Sequence, residues 1–338
     1  MTVDLDTFLV ALYTIVDELY QRHVAPHRPV RRGRRAELSD SEVLTLLVCE
    51  QWHGRSERGF LRFACRYWRA YFPRLLHQSA FNRRARDLTG ALTQLVPLVA
   101  DDLGAAVASY QVIDGVAMPL ARRGRGIRHR QFGAEAGIGR GGADKDWYFG
   151  CKVLLSCTPS GAVTGFAVGP ADTEERWLAE AWACWRAEPT ARPWDGQHHD
   201  LPPSHKRGGR HRGPTGPIWP RGGAGQPTAA PILADLGFRG ARWADHWRDD
   251  YGALVLTHDT YRGDQAPAAR RQHSGRRQII ETVNGCLERT FHLHFPCAHS
   301  FWGLRARVAA KLLAFNLGLW LNKSLGRPPL ALDTLWVA

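Results

Sequence analysis

Residues 146–172 read DWYFGCKVLLSCTPSGAVTGFAVGPAD. Two runs rich in β-branched, aromatic and aliphatic residues, Trp147–Cys157 and Val163–Val168, flank Pro159-Ser160-Gly161. A Pro/Gly turn signal between two such runs predicts a β-hairpin. Upstream, Tyr110-Gln111-Val112-Ile113 reads as a short strand. Downstream, Thr173–Ala187 reads as a helix with Trp177, Leu178, Ala181, Trp182 and Trp185 on one broad face. Beyond it, strands are expected at Thr228–Ala234 and Ala253–Thr257, separated by a helix at Arg242–Asp250. A basic linker, Tyr261–Arg277, then leads to a helix from about Gln278 to Phe291, and a last helix spans roughly Phe301–Lys323. Strand, hairpin, helix, strand, helix, strand, helix is the order of an α/β layer.

The N-terminal third has helical periodicity throughout. Phe8, Leu9, Leu12, Ile15, Val16 and Leu19 recur at helical spacing, and Ala25–Arg35 is a Pro- and Arg-rich link. Ser39 and Glu42 form the pattern of a capping box, opening a helix with Val43, Leu46 and Leu47. After His53-Gly54 a cationic aromatic helix is expected over Glu57–Tyr71, then another helical stretch over Ser79–Asp102. Helix, short Gly turn and Arg-rich helix fit a helix-turn-helix, and equally a plain helical bundle with a solvated Arg face. The expected organisation is a helical DNA-binding leader over 1–105, an α/β domain over 106–295 and a helical C-terminal extension over 296–338. Residues 189–226 read as a basic insertion, crowded with Pro, Gly, His and Arg; its histidines 198, 199, 205 and 211 lack the spacing or Cys partners of a metal site.

The chain has 338 residues, 44% of them hydrophobic, and 45 Lys+Arg against 32 Asp+Glu give a formal charge of +13. That length and apolar fraction predict two or three folded domains rather than one small module or a disordered chain. A pI near 9.9 favours polyanionic partners. Lys stands at only five positions, so an Arg-rich codon bias also contributes to the excess. Asp4, Asp6, Asp17 and Glu18 are the reverse of a signal peptide's basic start, and no apolar run reaches the length of a membrane span, so an intracellular, cytoplasmic protein without a membrane partner is expected. Seven cysteines without CxxC spacing indicate neither a disulfide framework nor a zinc ribbon.

Two apolar runs end alike in a carboxylate: Val112-Ile113-Asp114 and Ile232-Leu233-Ala234-Asp235. Asp disfavours strands and is costly to bury, so an Asp closing such a run emerges from a rigid element or merely begins a turn. Glu281 is the third candidate. It lies beside the apolar stripe Ile280, Val283, Leu287 and Phe291, where it could meet the ends of two strands or act as an ordinary surface glutamate paired with Arg277; Glu288 is its rival. Oxygen-only ligands from two or three carboxylates suit Mg²⁺ or Mn²⁺, and two such ions can stabilise the attacking and leaving oxygens of a phosphoryl transfer.

These residues resemble the DDE transposases of bacterial insertion sequences. The likeness rests on YQVIDGVAMPL around Asp114, DWYFGCKVLLSCTPSGAVTGFAVGPAD from Asp146, PILADLGFRG around Asp235 and RRQIIETVNGCLERTF around Glu281. The N-terminal LSDSEVLTLL and YFPRLLHQSAFNRRARDL are similar to the leader of insertion-sequence family 982, extending the resemblance from about residue 37 to 322. Phe238 stands where the family's second acidic motif has Tyr, and Glu288 and Arg289 stand near where a related signature has Lys. The resemblance implies an RNase H-like catalytic core in which Asp114, Asp235 and Glu281 hold two Mg²⁺, with Mn²⁺ as substitute. It implies cleavage at the ends of a mobile element and strand transfer into target DNA by a nucleoid-associated homodimer. Arg122, Arg123, Arg125, Arg128, Arg130, Lys152, Arg276 and Arg277 are then the candidates for holding duplex DNA. A nuclease or resolvase on the same scaffold, and a DNA-binding protein without catalysis, are the alternatives.

Overall fold

The computed structural model describes residues 4–28, 36–54, 56–122, 132–141, 146–187, 230–333 and 335. The basic segment 123–131, with Arg123, Arg125, Arg128 and Arg130, and the insertion at 189–226 lie outside the described residues. The chain divides into a helical unit, Met1–Leu103 with Gly285–Ala338, and an α/β unit formed by the sequence between them. The C-terminal helix thus belongs with the N-terminal helices, and the boundary falls before residue 295.

In the helical unit, α1 (Leu5–Leu19), α2 (Asp40–His53), α3 (Glu57–Tyr67), α4 (Gln78–Asp87) and α5 (Thr89–Asp102) surround the last helix, α9 (Phe301–Ser324). The capping box forms as expected: the Glu42 amide donates to Ser39 Oγ at 3.1 Å and the Ser39 amide to Glu42 Oε2 at 2.6 Å. Gly54 closes α2 with a left-handed φ of 65°. Helix α3 ends at Tyr67, short of the expected Tyr71, and the single stretch expected over 79–102 is two helices because Leu88 leaves helical geometry at φ −96°, ψ 5°. Trp52 packs edge-on to Phe8 and Phe291, with ring centroids 5.7 and 4.9 Å apart. Lys311 of α9 is buried, and its Nζ donates to the Phe291 carbonyl.

The α/β unit is a mixed six-stranded sheet in the order β2-β3-β1-β5-β6, with β4 also paired to β3. Its strands are β1 (Gln111–Arg122), β2 (Gly137–Gly141), β3 (Asp146–Cys157), β4 (Val163–Pro170), β5 (Ile232–Leu233) and β6 (Val255–Leu256). The hairpin β3–β4 forms as expected. Strand β1 runs on through Asp114-Gly115 instead of turning there, because β3 pairs antiparallel along it from Val112↔Cys157 to Arg122↔Tyr148; the ladder outweighs the turn propensity of Asp-Gly. Strands β5 and β6 are shorter than expected and run parallel to β1.

Among the described residues this unit also holds the helices α6 (Glu175–Ala187), α7 (Ala241–Tyr251) and most of α8 (Ala266–Phe291). Leu178 and Trp182 of α6 and Trp243 and Trp247 of α7 share one core with Ile113, Leu154 and Ile232. Buried Glu180 fastens α6 to α7, accepting from His246 Nε2 at 2.9 Å, Trp247 Nε1 at 3.2 Å and Tyr251 Oη at 2.6 Å. Helix α8 begins at Ala266, twelve residues before the expected start, so the second half of the basic linker is helical; Pro267 sits in the first turn, where no intrahelical N–H is needed.

Candidate active site

Register places the two aspartates. Val112 of β1 pairs with Leu233 of β5 in parallel, and Asp114 and Asp235 each stand two residues further along, Asp114 within β1 and Asp235 just past the end of β5, so the register sets the two side by side. Each accepts a hydrogen bond from a backbone amide just after it. The Gly115 amide donates to Asp114 Oδ1 at 2.9 Å and the Gly237 amide to Asp235 Oδ1 at 2.8 Å.

Alternation along β1 sets what each face meets. Gly115 pairs with Leu154, a member of the core under α6 and α7, so Asp114 points to the opposite face. There Arg277 Nη2 of α8 approaches Asp114 Oδ1 at 3.6 Å. One turn earlier, His273 Nε2 meets the Ala234 carbonyl at 3.0 Å, immediately before Asp235. A carbonyl only accepts, so Nε2 carries a proton and donates it there, and Nδ1 lies 3.1 Å from Tyr261 Oη. Burial lowers the pKa of His273.

Burial raises the Asp114 carboxyl to about 6, and the negative charges of Asp235 and Glu175 add to it, while Arg277 and the Gly115 amide act the other way. Glu175 is a neighbour of both aspartate-bearing segments that the sequence reading misses. It opens α6, and its carboxylate oxygens lie 2.7 Å from where a Cβ on Gly115 would stand and 2.8 Å from where one on Gly237 would stand. Lys152 Nζ of β3 lies 3.4 Å from Glu175 Oε1 and donates to the Thr173 carbonyl at 3.3 Å. The available sequence signal was the pair of glycines after the two aspartates, each leaving room for another group, together with the first acid of the helix following the hairpin.

The structure therefore brings Asp114, Asp235 and Arg277 to one place, while Lys152 stands with Glu175 on the α6 face of the sheet. Glu281 lies on the α8 stripe His273, Arg277, Glu281, one turn beyond Arg277; it is exposed and is not among the charges acting on Asp114. Glu288 binds His294 Nδ1 at 2.9 Å in the helical unit. The Arg276 guanidinium lies over the Tyr110 ring, 5.2 Å from its centroid. Arg122 ends β1 beside Tyr148.

Among the described residues no three His, Cys, Asp or Glu side chains form a ready-made metal cage. Mg²⁺ does not require one, since it is commonly held by one or two carboxylates with water and substrate phosphate oxygens completing its shell. Asp114 and Asp235, two carboxylates close enough for their charges to act on one another, supply the oxygen donors such a cation takes. Among the described residues no helix is long and apolar enough to cross a membrane. No protein-family model, curated protein or solved structure matches the chain.

Proposed function

We propose that this chain is a metal-dependent DNA transposase with an RNase H-like catalytic core, acting on the ends of its own mobile element. The observation that carries the reading is the side-by-side emergence of Asp114 and Asp235 from parallel strands, beneath a helix that presents Arg277. Divalent cations bound there would supply Lewis-acid activation of water and stabilise charge on the phosphodiester oxygens. Asp114 and Asp235 would hold the cations. Glu281 joins them in the transposase reading as the acid carried one turn past Arg277. Arg277 would face substrate phosphate once the cations neutralise Asp114, which now holds it, and Arg122, Arg123, Arg125, Arg128, Arg130 and Arg276 would contact flanking duplex. The freed 3′-hydroxyl would then attack target DNA.

The helical unit supports a nucleic-acid partner independently. Helix α3 buries Phe60 and Ala64 and exposes Arg58, Arg62 and Arg66 on the opposite side, with Arg83 and Arg86 exposed on α4. The test is nicking and joining of a terminal inverted-repeat duplex in Mg²⁺ or Mn²⁺. Asp114→Ala and Asp235→Ala should each abolish both steps; wild-type cleavage by either variant would overturn the assignment. Cut ends without joined products would assign a nuclease instead.

A further inference from the structure

Glu175 belongs to no motif of the resemblance, yet it touches the chain at both aspartate-bearing positions. Its Oε1 fills the space a Cβ at Gly115 would take and its Oε2 the space at Gly237, at 2.7 and 2.8 Å. Neither glycine has the left-handed φ that would itself require glycine. What demands a missing side chain at Gly115 is the Glu175 carboxylate. That carboxylate reaches the strand ends from the α6 face, opposite Asp114, and Lys152 holds it there while anchored on the Thr173 carbonyl.

We propose that Glu175 is a positioning residue, a wedge clamped by Lys152 that sets the spacing between the Asp114–Gly115 segment of β1 and the Asp235–Gly237 turn and so the separation of the two aspartates. The inference rests on the reading of Asp114 and Asp235 as a cation-binding pair. Gly115 and Glu175 are then one device: the methyl that Gly115→Ala adds and the Glu175 carboxylate cannot occupy the same space. A glutamate end is flexible, so the methyl displaces it with little cost to the fold, and Gly115→Ala should behave like loss of Glu175.

The experiment is Mn²⁺ binding by electron paramagnetic resonance on the full chain, with thermal melts as the check on folding. Wild type is compared with Glu175→Ala, Glu175→Gln, Gly115→Ala and the Gly115→Ala/Glu175→Ala double variant. Loss of an orienting group beyond the ligands typically costs about 10–100-fold in metal affinity. The expected result is a weakening of that order in each alanine variant, with the double variant no weaker than the worse single one. Glu175→Gln keeps the size and an acceptor for Lys152 and should stay within about threefold of wild type. DNA cleavage should follow in kcat, with KM for duplex little changed. Additive losses in the double variant, or wild-type affinity in Glu175→Ala, overturn the wedge. A Glu175→Gln variant as weak as Glu175→Ala overturns positioning and makes Glu175 a ligand itself. Wild-type protein that binds no Mn²⁺ overturns the cation-pair reading, an outcome distinct from the other three.

Discussion

Arg277 and Asp114 meet across the gap between α8 and the sheet, with Nη2 3.6 Å from Oδ1, and among the described residues Arg277 is the cation that opposes the rise that burial and two neighbouring acids impose on this carboxyl. An arginine beside a carboxylate typically lowers its pKa by about 1–3 units. Arg277→Gln should therefore move Asp114 further above about 6 in the metal-free chain, and the midpoint of the Asp114 carboxyl titration followed by nuclear magnetic resonance should shift upward by about one unit or more. Arg277→Lys should retain part of the effect. A titration midpoint unchanged in Arg277→Gln would show that the guanidinium does not govern Asp114.

The same carboxyl predicts how stability depends on pH. Asp114 titrates near 6 when folded against an ordinary value of 3.8, so the folded chain holds a proton that the unfolded chain has released in between. Its contribution to stability is fully present below about 3.8 and is lost as pH rises through about 6. Asp114→Asn removes the charge at little cost in shape. At about pH 7.5 it should melt above wild type, by about 1–3 kcal/mol of stability, with the gap closing towards about pH 4. A variant that melts below wild type under the same mildly alkaline conditions would contradict a desolvated Asp114.

Much of this architecture is written in local sequence, and what is not written there has nameable causes. The hairpin, the Ser39–Glu42 capping box and the apolar stripe of α8 were legible because each is decided within a few residues of chain. Asp114 was legible as a candidate closing an apolar run but not as a mid-strand residue, since Asp-Gly turns unless a partner strand takes up its hydrogen bonds, and that partner, β3, follows about 40 residues later. The start of α8 was hidden because Arg270, Arg271 and Arg276 look like a solvated linker until His273 and Arg277 are seen meeting the sheet. Glu175 was hidden for a related reason. Only tertiary packing brings the first turn of α6 against glycines about 60 residues before and after it.

Glu180 offers a test of the scaffold apart from any chemistry. It is 5% exposed and accepts from three donors of α7, and His246 in turn reaches Asp250 through Nδ1 at 2.5 Å. Glu180→Ala removes the common acceptor and strands all three donors in a buried site, an effect of about 3–5 kcal/mol by analogy with broken buried pairs. Tyr251→Phe removes one bond to a charged group, about 1.5–3 kcal/mol. Thermal melts should rank wild type above Tyr251→Phe and that above Glu180→Ala; equal melting of the three would mean that α6 and α7 are held by their tryptophans alone.

The basic face of α3 turns the excess charge into a measurable number. Arg58, Arg62 and Arg66 recur every four residues, are exposed, and make no ion pair among the described residues, whereas Arg84 on α4 is already engaged by Asp40 at 2.5 Å. If the three contact phosphates of a duplex, each releases counterions on binding, and each contributes about 0.9 to the slope of log affinity against log salt. The Arg58→Gln/Arg62→Gln/Arg66→Gln variant should bind duplex DNA more weakly at low salt and reduce that slope by about 2.5–3, without changing discrimination between sequences, because phosphate contacts position a protein and carry no base information. Fluorescence anisotropy over a salt series on two unrelated duplexes measures both quantities. An unchanged slope would remove α3 from the DNA interface, and a loss confined to one duplex would make it a reader of bases rather than of backbone.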